Sequence, residues 1–211
     1  MTNNKMDNCA PVQNMMGSSM RYCKRLERAW TGFVCFLLLG IASLSFAASP
    51  GLGIKSAELV PLDNAYALNA NFEINFSKEV EEALNKGVKL SFLIEFQIVT
   101  PSSWWFDDEI KSASTQVTLD YHALSRQYLI NRNNHQYAFA TLREAKEELA
   151  HIRNWQVVEK SLLSKGEEYQ AALRIRLDQS KLPKPLQVDA LGSEDWSMVS
   201  ERYRWTPELA L

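Results

Sequence analysis

The sequence predicts a mainly β domain: an antiparallel two-layer β-sandwich of about eight strands with two short helices, preceded by an apolar N-terminal helix. Three observations carry this. Leu68, Ala70, Phe72, Ile74 and Phe76 alternate with Asn69, Asn71, Glu73 and Asn75, a two-residue period that gives one dry and one wet face. Leu90, Phe92, Ile94, Phe96 and Ile98 repeat the pattern within residues 88–99. Strand-like runs then follow one another through turn signals, with neither a βαβ rhythm nor an internal repeat, which argues against a parallel doubly wound sheet.

Taken in order, residues 1–20 are polar and without apolar period, and are expected to be a disordered extension in which Met15, Met16 and Met20 are alternative starts. Residues 21–48 read as a signal peptide or membrane anchor. Arg21, Lys24, Arg25 and Arg28 precede the uncharged run 31–46, and Ser45 and Ala47 are small enough for signal peptidase. A spanning helix needs about 20 apolar residues, so a run of this length suits a cleaved signal better than an anchor. Either way the basic flank places residues 49–211 outside the cytoplasm. Cys9, Cys23 and Cys35 all precede that portion, leaving it no disulfide, thiol nucleophile or thiolate metal site.

Within the exported portion, residues 54–62 form a strand closed by Pro61 and the Asp63-Asn64 turn signal. Ser77 caps a helix over 78–85, with Gly87 beyond its end. Pro101 stops the strand over 88–99, and residues 110–124 return as its hairpin partner. Residues 118–130 are rich in strand formers, yet the apolar phase flips at Leu124. This predicts the central strand of the sheet, carrying a β-bulge or crossing between the two layers. A turn over 131–135 leads to a brief strand at 136–140. Thr141 and Glu144 then open a helix reaching Ile152. Strands follow at 155–159 and 168–178, the second with Arg174 and Arg176 outward. Pro183 and Pro185 impose an extended path into 186–191, and 196–205 is the last strand.

Hydrophobic residues make up 46% of the chain and charged ones 23%, as in a globular protein, and the formal net charge is −2. Past Ala47 there are 18 Lys+Arg against 23 Asp+Glu, a balance of −5, so a nucleic-acid partner is not expected. No glycine-rich phosphate loop occurs. Glu148-x-x-His151 has the spacing of half a di-iron motif, but the motif occurs once, and no metal or cofactor is expected. Asp120, His122 and Ser125 contain triad residue types, but Ser125 has the opposite parity from His122, so no catalytic residue is assigned.

The surface candidates for binding are Trp104, Trp105, Asp107 and Asp108 in the stretch 102–109, together with Arg126, Arg174 and Arg176. The tryptophans could anchor to a partner, a glycan or a membrane interface, or fold back to plug the sandwich. The arginines, with Arg202 and Arg204, could form a stripe across neighbouring strands, and a salt-bridged face is its plainer reading.

Four strings resemble an uncharacterised bacterial family, the domain of unknown function 4390. They are Trp104-Trp105-Phe106-Asp107-Asp108-Glu109, residues 119–128, Phe139-Ala140-Thr141-Leu142 with Ala145, and Leu182-Pro183-Lys184-Pro185-Leu186-Gln187-Val188. The resemblance spans about 54–205 and implies an exported envelope protein without assigned activity, encoded near a two-component sensor kinase. Two roles are therefore expected to compete. One is a non-enzymatic interaction module linked to a membrane sensor, with an envelope protein or glycan as partner and membrane association through the N-terminal segment if it is uncleaved. The alternative is a cell-wall or glycan hydrolase using paired carboxylates such as Asp107, Asp108 or Asp120.

Overall fold

The structure is a computed structural model that describes residues 51–101 and 108–209. The expected N-terminal extension and apolar leader lie outside the described residues, as do Trp104, Trp105 and Asp107. Among the described residues nine strands form two antiparallel sheets. Strand β1 (Gly51–Pro61) pairs with β2 (Ala65–Asn75), and β7 (His151–Glu159) takes the other edge of β2. The larger sheet has six strands in the order β6-β5-β4-β3-β8-β9. These are β3 (Leu90–Thr100), β4 (Asp108–His122), β5 (Gln127–Arg132), β6 (His135–Phe139), β8 (Gln170–Leu177) and β9 (Tyr203–Trp205).

One continuous apolar core lies between the layers. Leu90, Phe92, Ile94, Phe96 and Ile98 of β3 are almost wholly buried in it, as the alternation in the sequence requires. Phe72 and Ile74 of β2 face them, and Phe76 stacks on Phe92 with the rings 6.0 Å apart and 9° from parallel. Helix α1 (Lys78–Asn85) starts where expected: Ser77 Oγ accepts from the Val80 N–H at 3.3 Å, satisfying a first-turn donor. It buries Val80, Ala83 and Leu84. Gly87, at φ +91°, then supplies the left-handed residue that ends it.

The structure corrects the reading of residues 118–130. They are not one strand but the end of β4, a tight turn and β5, and β4 shares the centre of the sheet with β3. Arg126 sits in the turn at φ +54°, and Leu124 points almost fully into solvent. The phase flip has a simple cause. His122 faces Gln127 and Tyr121 faces Tyr128, so paired positions have opposite parity. The dry set therefore passes from Val117, Leu119 and Tyr121 to Tyr128 and Ile130 without any bulge. The next hairpin turns through Asn133 and Asn134, both at positive φ, the conformation of a two-residue primed turn.

Helix α2 (Leu142–Leu149) is capped by Thr141, whose hydroxyl accepts from the Glu144 N–H at 3.2 Å. It stops short of the expected end: Ile152 is buried on β7, after a single linking residue, Ala150. Residues 186–191, expected to be extended, lie instead in and just after a third helix, α3 (Lys184–Ala190). Pro183 occupies the cap and Pro185 the first turn, where a missing N–H leaves no bond unmade and the fixed φ already suits a helix. The last strand is also shorter than expected. Trp196, wholly buried, lies in a 3-10 turn (Glu194–Trp196) and donates its indole N–H to Glu79 on α1 at 2.7 Å. Ser200 then accepts the Ile175 N–H with its hydroxyl at 3.0 Å, breaking the regular ladder, so pairing resumes only at β9.

Removing Phe92 should empty the centre of this core. Phe92→Ala is expected to cost about 3–5 kcal/mol in chemical denaturation, whereas Leu124→Ala at the exposed turn should stay within about 0.5 kcal/mol of the parent.

Candidate binding surface

The outer face of the six-stranded sheet carries the polar set that the core excludes. Register decides which side chains meet. Glu95 on β3 lies opposite Ser114 on β4 and Arg174 on β8, and Arg176 lies one step along, opposite Leu93. Glu95 Oε2 accepts from Arg174 Nε at 3.1 Å and lies 3.0 Å from its Nη2, a two-pronged contact. Glu95 Oε1 accepts from Arg176 Nη2 at 3.4 Å. Each of the three side chains keeps about a third of its surface in solvent.

Burial by itself would raise the Glu95 carboxyl. Hydrogen bonds from Arg174 and Arg176, backed by their charges, outweigh it and hold the group below the ordinary value of 4.5. Beside this cluster lies an open depression of about 400 Å³ whose polar lining includes Glu95, Gln97, Glu109, Ser114, Arg174 and Arg202. A chain of bonds crosses it: Gln97 Nε2 donates to Glu109 Oε2 at 2.6 Å, and Arg202 Nη1 donates to Gln97 Oε1 at 3.5 Å. Arg204 lines a smaller neighbouring hollow with Gln97 and Arg202.

The structure thus brings Arg174 and Arg176 together and adds Arg202 from the adjoining segment. Asp108 opens β4 opposite Thr100, next to Glu109 at the end of the β3–β4 ladder; its side chain lies outside the described set. Arg126 does not join them. It stands at the β4–β5 turn, so no single stripe runs through all five arginines. Glu95, which the sequence reading did not single out, is the residue that organises the face. Its only sequence signal is a carboxylate on the wet side of β3. Its partners become visible once β8 is known to lie beside β3 rather than farther away.

The other constellations resolve into local contacts. Asp120 pairs with Lys89 at 3.3 Å. The turn brings His122 Nδ1 to 2.9 Å from Ser125 Oγ despite their opposite parity, as an exposed contact across three residues. Glu148 and His151 do not share a helix face, because α2 ends between them. Glu148 lies 3.6 Å from Arg132, and His151 Nδ1 lies 2.7 Å from Asn71 Oδ1.

The family model described as Domain of unknown function (DUF4390) matches residues 49–206, which takes in both sheets and the whole of this face. The chain belongs to that family. No curated protein and no solved structure matches the chain. In this DUF4390 domain the charged cluster therefore has to be understood from its own geometry. Among the described residues no helix is long and apolar enough to cross a membrane.

Because the folded-state pKa of Glu95 lies below its unfolded value, the stability it contributes is present above about pH 4.5 and is lost as pH falls through the lower, folded value. The exposed setting limits that contribution to about 1 kcal/mol or less. Denaturation of Glu95→Gln against the parent should therefore show a small gap at pH 7 that closes steadily below pH 4.5.

Proposed function

We propose that the domain is a non-enzymatic binding module of the cell envelope that docks a polar partner on the outer face of its large sheet and is linked to a membrane sensor kinase. The observation that carries this reading is the depression beside Glu95, Arg174 and Arg176. Its floor is made of β3, β4 and β8, and it offers donors and acceptors that the cluster has already fixed in place. A preordered polar face costs little side-chain entropy to bind. The segment joining Thr100 to Asp108 carries Trp104 and Trp105 from the end of the same β3–β4 ladder and belongs to the same proposal. Export through the apolar stretch 31–46 places the module outside the cytoplasm, held at the membrane if that stretch is retained.

The hydrolase reading fits this face poorly. Glu95 and Glu109 both line the depression, but glycoside hydrolysis needs one carboxyl kept protonated, and the two arginines push Glu95 the other way.

Photocrosslinking residues placed at Ser114 and Arg202 in intact cells should yield a common protein adduct, and the same residue at Lys55 on β1 should not. Trp104→Ala and Trp105→Ala should weaken that adduct while the protein level holds. Adducts at Lys55 alone would overturn the proposal.

A further inference from the structure

A second cluster lies on the opposite side of the large sheet, at the rim where the β5–β6 hairpin meets α2 and the outward side of β7. Arg132 faces His135 across the ladder, and Tyr137 lies opposite the buried Ile130, so all three occupy the core-side face at the sheet's edge. Glu148 reaches it from the end of α2, and His151 and Arg153 reach it from the face of β7 that alternates with the buried Ile152. Together with Asn133 they line a cleft of about 400 Å³, within the roughly 300–1,000 Å³ range of small-ligand sites.

The cleft is rich in donors and poor in acceptors. Only 16% of the Arg132 side chain is exposed, yet its contacts are long: 3.6 Å from Nη1 to the Glu148 carboxylate and 3.4 Å from Nη2 to the Glu148 carbonyl. Charged pairs built for stability close to about 2.7–2.9 Å. The Arg132 Nε is shielded and has no acceptor among the described residues. Burial lowers the Arg132 pKa, with Glu148 and the Tyr137 phenol acting in the opposite direction. Arg153 stands exposed on β7 of the small sheet and lines the same cleft. The lining thus holds one carboxylate and two guanidinium groups.

We propose that this cleft binds a phosphate group. Arg132 from the large sheet and Arg153 from the small sheet are its charged donors, His135 and Tyr137 are further donors, and the His151 ring, held by Asn71, lines one side. Two guanidinium groups carried by different sheets suit a tetrahedral oxyanion, which presents oxygens in several directions, better than a single planar carboxylate. The site is separate from the outer face and stands whether or not that face docks a partner.

The test is isothermal titration of the full chain in detergent micelles with inorganic phosphate, and in parallel with dihexanoyl phosphatidic acid. Saturable binding of inorganic phosphate is expected, weakened at least tenfold by Arg132→Gln and by Arg153→Gln and unchanged by Lys55→Gln on β1. Arg153 is exposed, so its variant carries the test even if Arg132→Gln does not fold. Tighter binding of the short-chain lipid assigns the site to a lipid headgroup; equal or weaker binding assigns it to a soluble phosphate. Absence of saturable binding in the parent, or equal binding by Arg153→Gln, overturns the proposal.

Discussion

Strand β3 is hydrogen-bonded along both edges and dry on one face, so it cannot slip without uncovering five large side chains at once. A shift of one residue would turn Leu90, Phe92, Ile94, Phe96 and Ile98 toward solvent and drive Glu95 and Gln97 into the core. Burying a large apolar side chain is worth about 1.5–3 kcal/mol, and an unpaired buried carboxylate costs more still. Register is therefore fixed from the inside of the sandwich. The neighbouring strands β4 and β8 inherit it through their ladders, and the small sheet closes over the same row.

The polar outer face follows from that constraint rather than from any charge pattern of its own. Once Phe96 and Ile94 point inward, Glu95 must point outward, and the β8 ladder sets Arg174 directly opposite it. The resulting contacts add little to stability at this exposure. Their consequence is order. Two long arginine side chains that would otherwise sample many rotamers are held beside an open depression with Gln97, Glu109 and Arg202. A surface arranged in this way has already met part of the entropic cost of binding, which is why it is favoured over the loose arginine turn at Arg126.

The cleft at the sheet's rim obeys a different rule. At the edge strand β6 and the end of its neighbour β5 the core-side positions are only partly covered, so Arg132, His135 and Tyr137 can occupy them without being sealed in. Helix α2 and the start of β7 reach that edge because a single residue joins them, bringing Glu148, His151 and Arg153 to one place. The short connection that spoils the helical Glu148–His151 spacing is thus what builds the cleft.

Local chemistry made much of the domain legible in advance. The alternating rows of β2 and β3, the Ser77 and Thr141 caps, the Asn133-Asn134 turn and the outward Arg174 and Arg176 all stand where side-chain period and backbone preference put them. The failures share a physical reason. A hairpin turn and a β-bulge leave the same phase flip in a sequence, so residues 118–130 could not be divided without knowing what pairs with what. Pro183 and Pro185 suit an extended edge or a helix start equally well, and the helix that forms buries Ala190. The partnership of Glu95 with Arg174 and Arg176 spans 79 and 81 residues. The cleft of Arg132, Glu148 and Arg153 joins three separate elements. Sequence by itself determined which side chains face water, because burial of apolar surface acts residue by residue. Only the tertiary structure decided which of them meet, because strand order and layer contact are properties of the whole chain.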